Sequence, residues 1–206
     1  MKSRIEMKND SKKFVREYPK VKYLFIPMVS TGVINALSSN DYVNLLIIIQ
    51  TTITMLTVMS LVDYMKEPEK FTKYSVIEMA LLPFKQVPRY WVQLLTVSFV
   101  TFLATMVGFL FLVIPGLILS IAFSQYYLFV KYLVDNEKYE GSWNTVKLIW
   151  NYMNGYKLDY FILGLSFIGW EIVIALFAGI PGFFIYPYLY LTYISFFDEV
   201  LKGNQK

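Results

Sequence analysis

A chain of 206 residues that is 56% hydrophobic and 18% aromatic, with a net charge of +4, is too apolar for an ordinary water-soluble domain. It has no His and no Cys, which removes imidazole bases, thiolate nucleophiles, disulfides and the usual zinc and haem ligands, and with them most enzyme classes. Its basic residues lie at the ends of apolar runs or outside them and form no basic face of a soluble domain, so nucleic acid is not an expected partner.

The chain opens with a basic segment, 1–21, in which Ile5, Phe14, Val15 and Tyr18 are interspersed among Lys, Arg, Glu and Asp, a mixture suited to a membrane surface. A secretory signal is the competing reading of the first apolar run, because Ala36-Leu37-Ser38 has the form of a cleavage site. A charged preface of about twenty residues is too long for the leader of such a signal. About 20 apolar residues carry a helix across the roughly 30 Å hydrocarbon core. Runs of this kind occupy about 22–38, 42–64, 91–113, 117–134, 159–179 and 183–200, with a tail at 202–206. The first holds Pro27 and Gly32 and the last holds Pro187, so kinks are expected there.

The predicted fold is therefore all-α: a polytopic membrane domain over 22–201 with six transmembrane helices in three antiparallel hairpins. Charge fixes an orientation. Lys2 to Lys22 precede the first run, Lys66 to Arg89 separate the second from the third, Lys131 to Lys157 lie at or between the fourth and fifth, and Lys202 and Lys206 follow the last. The alternate turns, Ser38–Asp41, Val113–Gly116 and Gly179–Gly182, carry one charge, Asp41. Basic residues stay on the cytoplasmic side, which places both termini in the cytoplasm.

Two of those turns contain the same tripeptide, Ile114-Pro115-Gly116 and Ile180-Pro181-Gly182, expected to make sharp reversals. A parallel repeat and convergent hairpin chemistry both account for the pair. Two cytoplasmic connections have helical periodicity. Trp143, Val146, Trp150 and Met153 share one face; Tyr74, Ile77, Leu81 and Phe84 share another before Pro83 and Pro88 interrupt. Amphipathic interfacial helices, with Trp143 and Trp150 as candidate contacts with lipid or a partner, and ordinary packing against the cytoplasmic ends of the bundle both account for these patterns.

Glu171, beside Trp170, is the one carboxylate deep inside an apolar run, and burial in lipid would make it face other helices or be protonated. Ser120, Ser124, Tyr127 and Lys131 recur at i, i+4, i+7 and i+11 and form a polar stripe. The stripe reads either as a hydrated path or as interhelical hydrogen bonds, the second being commoner in bundles. Ala104 with Gly108, and Gly164 with Gly169, permit close backbone approach. Asp135 and Glu137 resemble part of an acidic metal cluster but read more simply as solvated loop charges. No metal site, cofactor or catalytic constellation is expected.

The segment Met153-Asn154-Gly155-Tyr156-Lys157-Leu158-Asp159-Tyr160-Phe161, the string Leu165-Ser166-Phe167-Ile168-Gly169-Trp170, and Phe196-Phe197-Asp198-Glu199-Val200-Leu201 carry a resemblance that extends over about 105–201. This region resembles a bacterial family of small integral membrane proteins, common in Firmicutes and catalogued as a domain of unknown function. The resemblance implies a multi-spanning architecture and no assigned reaction.

Two functions fit these readings. One is a non-catalytic plasma-membrane protein that acts by association in the bilayer, either in self-protection against a membrane-active peptide or as an accessory subunit, alone or as a homo-oligomer. The other is a small carrier that uses Glu171 and the polar stripe.

Overall fold

The computed structural model of the protein describes residues 2–37 and 43–204; the predicted outer turn Ser38–Asp41 and residues 205–206 lie outside the described residues. Among the described residues every regular element is helical. The chain divides into two compact units, one of Lys2–Val87 with Ser166–Ser195 and one of Pro88–Leu165 with the chain end from Phe196.

In the first unit, α1 (Arg4–Glu17) starts where Ser3 and Glu6 exchange hydrogen bonds: the Glu6 N–H donates to the Ser3 hydroxyl at 3.2 Å, and the Ser3 N–H donates to the Glu6 carboxylate at 2.7 Å. This reciprocal cap satisfies two donors that a helix start leaves bare. Pro19 then begins a 3₁₀ segment, Pro19–Phe25, that runs directly into α2 (Ile26–Leu37). α2 packs on α3 (Val43–Lys66), and the side-chain amide of Asn35 donates to that of Gln50 at 3.0 Å. The short α4 (Pro68–Thr72) follows, and then α5 (Val76–Lys85), which repeats the reciprocal cap with Ser75 and Glu78 and passes through Pro83 without ending there. The same unit contains α11 (Ile168–Leu176) and the part of α12 (Gly182–Gly203) up to Ser195. Between them Ala178 and Gly179 take φ of 51° and 86°, and the Gly179 N–H closes α11 on the Ile174 carbonyl at 2.8 Å. Glycine suits that left-handed position because it carries no Cβ.

In the second unit, α6 (Val87–Phe111) and α7 (Val113–Phe123) are separated by Leu112 alone, in extended conformation. They fold back on one another so closely that a Cβ at Gly108 would lie 3.2 Å from the Cα of Gly116. The reversal expected at Ile114-Pro115-Gly116 sits just before that tripeptide, and Pro115 and Gly116 belong to the first turn of α7. A proline is tolerated there because first-turn N–H groups have no intrahelical acceptor. The run predicted as one helix over 117–134 is divided at Ser124–Gln125 into α7 and α8 (Tyr126–Asp135). Ser120 and Ser124 each return a hydroxyl to the carbonyl three residues earlier, at 2.8 Å, a local bond that competes with helix continuation. α9 (Ser142–Tyr152) packs on α7 and α8, and α10 (Lys157–Leu165) packs on α7.

Among the described residues, Leu46–Lys66, Val87–Phe111 and Val113–Asp135 are long and apolar enough to cross a membrane; Lys157–Leu165 and Ile168–Leu176 make a fourth if counted as one broken span. These match the runs expected at 42–64, 91–113, 117–134 and 159–179. The run at 22–38 yields only the 12-residue α2 after its 3₁₀ segment. α12 has 22 residues, and its tyrosines with Asp198 and Glu199 make it less apolar.

Candidate functional site

The most concentrated chemistry lies at the end of the second unit where α6 begins and α8 ends. Tyr90 is buried on the first turn of α6, and its hydroxyl donates to the carboxylate of Asp135 at the end of α8. The same hydroxyl accepts from the Lys131 ammonium at 3.2 Å. Lys131 approaches Asp135 at 3.3 Å, and Arg89 reaches the other carboxylate oxygen at 3.1 Å. The side chain of Lys131 is 3% exposed and that of Asp135 17%, so both charges are largely withdrawn from solvent. The Lys131 ammonium also stands 5.0 Å from the centre of the Tyr90 ring, and the Arg89 guanidinium 5.4 Å. Burial of a lone lysine is prohibitive; here its charge is met by a carboxylate, a hydroxyl and an aromatic face. Two cations share one anion, and Tyr90 bridges ammonium and carboxylate. Chemically this holds α6 to α8 with charge-assisted bonds.

This cluster separates the predicted polar stripe. Ser120 and Ser124 return their hydroxyls to their own helix, Ser124 also bonds the Tyr160 hydroxyl of α10, and Tyr127 and Lys131 are buried on α8 beyond the break. Asp135, read as a solvated loop charge, is instead the ion-paired acceptor of the cluster. Its i, i+4 spacing from Lys131 was the legible signal. Glu137 lies outside the cluster with φ of 57°, and with Tyr132, Lys138, Glu140 and Tyr152 it lines a cavity of about 360 Å³. Among the described residues no group of three His, Cys, Asp or Glu is placed to hold a metal.

On α9 the predicted stripe divides into two adjacent faces. Thr145, Val146 and Ile149, with Met153 just beyond, are buried, whereas Trp143 and Trp150 remain exposed along the edge. A lysine stands over each: Lys147 lies 5.4 Å from the Trp143 ring and Lys157 lies 3.3 Å from that of Trp150. On α5 the predicted stripe Ile77, Leu81 and Phe84 is exposed, and Met79, Leu82 and Pro83 are the buried set. Exposed aromatic and aliphatic stripes with lysines alongside suit the water–lipid boundary.

Glu171 is exposed in the first turn of α11. The expectation that it faces other helices is corrected by that exposure, although Glu171 lies one turn before buried Ile174 and so on the same side of α11. Gly169 is equally open, with nothing within 4 Å of an added Cβ. Sequence reading also passed over Thr57, Ser60 and Tyr64, which share one face of α3, are buried, and have hydroxyls with no hydrogen-bond partner among the described residues.

A family model described as protein of unknown function (DUF975) matches residues 92–204, more than half of the chain. The chain belongs to the DUF975 family. The DUF975 match takes in Ser120, Ser124, Tyr127, Lys131, Asp135, Trp143, Trp150 and Glu171, and begins just after Arg89 and Tyr90. No curated protein and no solved structure matches the chain.

Proposed function

We propose that this DUF975 protein is a multi-pass component of a bacterial plasma membrane, with both termini cytoplasmic, that acts by association within the bilayer and not by turnover. The observation that carries this reading is the bare face of α6. Trp91, Leu95, Phe99, Phe102 and Met106 lie three or four residues apart and are all exposed, from 51% to 62%. Their spacing makes one apolar stripe along the helix, open to acyl chains or to the helix of a membrane partner. The opposite side, with Val97, Thr101 and Gly108, is buried. Lys131 and Asp135 neutralise one another in the Tyr90 cluster, which withdraws that charge pair from the surface offered to a partner.

The biological form of this reading is self-protection against a membrane-active peptide, or service as an accessory subunit. The carrier reading draws no support from the stripe, whose serines bond to their own helix and whose lysine is held by Asp135. A photo-crosslinking residue at Leu95 or Phe99 tests the reading in cells: crosslinks to a second membrane polypeptide are expected, and the same residue at buried Val97 should give none. Gradient-driven solute uptake by purified protein in liposomes, sensitive to Glu171→Gln, would refute it.

A further inference from the structure

The geometry points to the segment from Ile168 to Tyr190 being a re-entrant hairpin that dips into the cytoplasmic leaflet and returns, in place of the last two membrane crossings. The inference rests on the cytoplasmic N-terminus proposed above. Every contact that carries it lies within the first unit.

Helix α1 fixes the base of the hairpin. Lys8 donates to the Ser166 hydroxyl at 2.7 Å and stands 4.5 Å from the centre of the Phe167 ring. Lys12 stands 5.6 Å from the centre of the Tyr188 ring, and the hydroxyls of Ser11 and Thr192 are 3.1 Å apart. α1 also carries Arg4, Glu6, Asp10, Lys13, Arg16 and Glu17, all outside its buried side. A helix with that charge load stays at the aqueous surface, because burying even one of these groups in hydrocarbon costs at least about 2.5–3.5 kcal/mol on the most lenient scale. Ser166, Phe167, Tyr188 and Thr192 are therefore at the surface as well.

From that level the hairpin is short. The 9 residues of α11 rise about 14 Å, and the return along α12 from Gly182 to Thr192 descends about 15 Å. Each arm covers about half of the roughly 30 Å core. Lys22 sets a second mark. Its ammonium lies 5.8 Å and 5.6 Å from the rings of Phe183 and Phe184. Two residues earlier, Lys20 donates to the carbonyls of Thr72 and Tyr74, in the basic connection between α4 and α5. Lys22 keeps its ammonium at the headgroups only by snorkelling, so Phe183 lies no deeper than a lysine side chain can reach from there, which a residue at the far face could not. The hairpin is clothed for lipid: Trp170, Ile172, Leu176, Phe177, Ile180 and Phe184 are exposed, and the partner they fit is the acyl region of one leaflet. Glu171 then needs no special compensation. It stands one turn from Phe167, about 6 Å into the interface, where its exposed carboxylate reaches headgroup water.

The chain has no cysteine, so single cysteines at exposed Ile168, Ile172, Leu176 and Ile180 can carry nitroxides in the full-length protein in liposomes. Collision-based depth should increase at each step from Ile168 to Ile180. A depth that peaks near Ile172 or Leu176 and decreases again at Ile180 overturns the inference. In intact cells an impermeant maleimide should label Ser39→Cys and leave Ile180→Cys at background. Labelling of both overturns the hairpin and leaves the orientation standing. Failure of Ser39→Cys to label refutes the orientation itself, and the depth profile still decides the hairpin.

Discussion

The hydroxyl of Tyr90 donates to the carboxylate of Asp135 across a sequence separation of 45 residues, with the ammonium of Lys131 against the same hydroxyl. Asp135 is the anion that makes the buried lysine tolerable. Asp135→Asn should therefore destabilise the protein by about 3–5 kcal/mol, the range for breaking a buried pair from one side. The double variant Lys131→Met/Asp135→Leu should recover most of that loss, because no charge remains stranded. Thermal unfolding in detergent measures both. A double variant no better than Asp135→Asn would show that the charges are not what holds α6 to α8.

Gly108 and Gly169 both permit close approach by composition, and their surroundings set them apart. A Cβ at Gly108 meets the Leu119 side chain and the Gly116 backbone, whereas one at Gly169 meets nothing within 4 Å. Gly108→Leu should cost about 1–3 kcal/mol by overpacking. Gly169→Ala should be neutral or stabilise by about 0.5–1 kcal/mol through helix propensity. Melting of the two variants side by side gives opposite signs if the packing is as described.

Tyr64 stacks on Phe71 with ring centres 5.3 Å apart, while its buried hydroxyl has no hydrogen-bond partner among the described residues. Removing that oxygen keeps the stack and relieves an unmade bond. Tyr64→Phe should raise stability by about 1–3 kcal/mol, and Tyr64→Leu should lower it. A Phe variant that melts lower than the parent would reveal a partner for the hydroxyl.

The cap of α5 titrates. The Ser75 N–H, and after it the Ser75 hydroxyl, hold the Glu78 carboxyl below its ordinary value of 4.5. A carboxyl lowered on folding stabilises above its unfolded value, and that contribution is lost as pH decreases through the folded value. The loss falls below pH 4.5. Glu78→Gln removes the titrating group, so its stability should change less than the parent's between about pH 6 and about pH 3. Equal acid sensitivity in both proteins would locate the effect elsewhere.

Periodicity made the helices legible because apolar residues recur on one side whatever the tertiary contacts are. Exposed Ile77, Leu81 and Phe84 on α5 are the stripe that the spacing described. The spacing could not tell whether such a stripe is buried by protein or left for lipid, and on α9 it merged buried Val146 with exposed Trp150 for that reason. The cluster at Tyr90 was illegible for a different cause. Asp135 follows an apolar run and precedes Asn136 and Glu137, so it looks like a loop charge until the fold brings a tyrosine from 45 positions away. A place in the middle of an apolar run does not set the exposure of Glu171, because α11 restarts at Ile168 and leaves that side chain open.

Leu112 is the sole non-helical residue between α6 and α7, and the turn around it, from Phe109 to Ile114, is apolar and exposed. On the proposed multi-pass reading, nothing polar has to be hauled through the bilayer when this pair is made. The two helices can slide in together from the ribosome's side once both have emerged, driven by their own partitioning. Biogenesis of this region should then be indifferent to the motor that exports long hydrophilic loops, and a nascent chain stalled at Phe111 would leave α6 waiting for its mate.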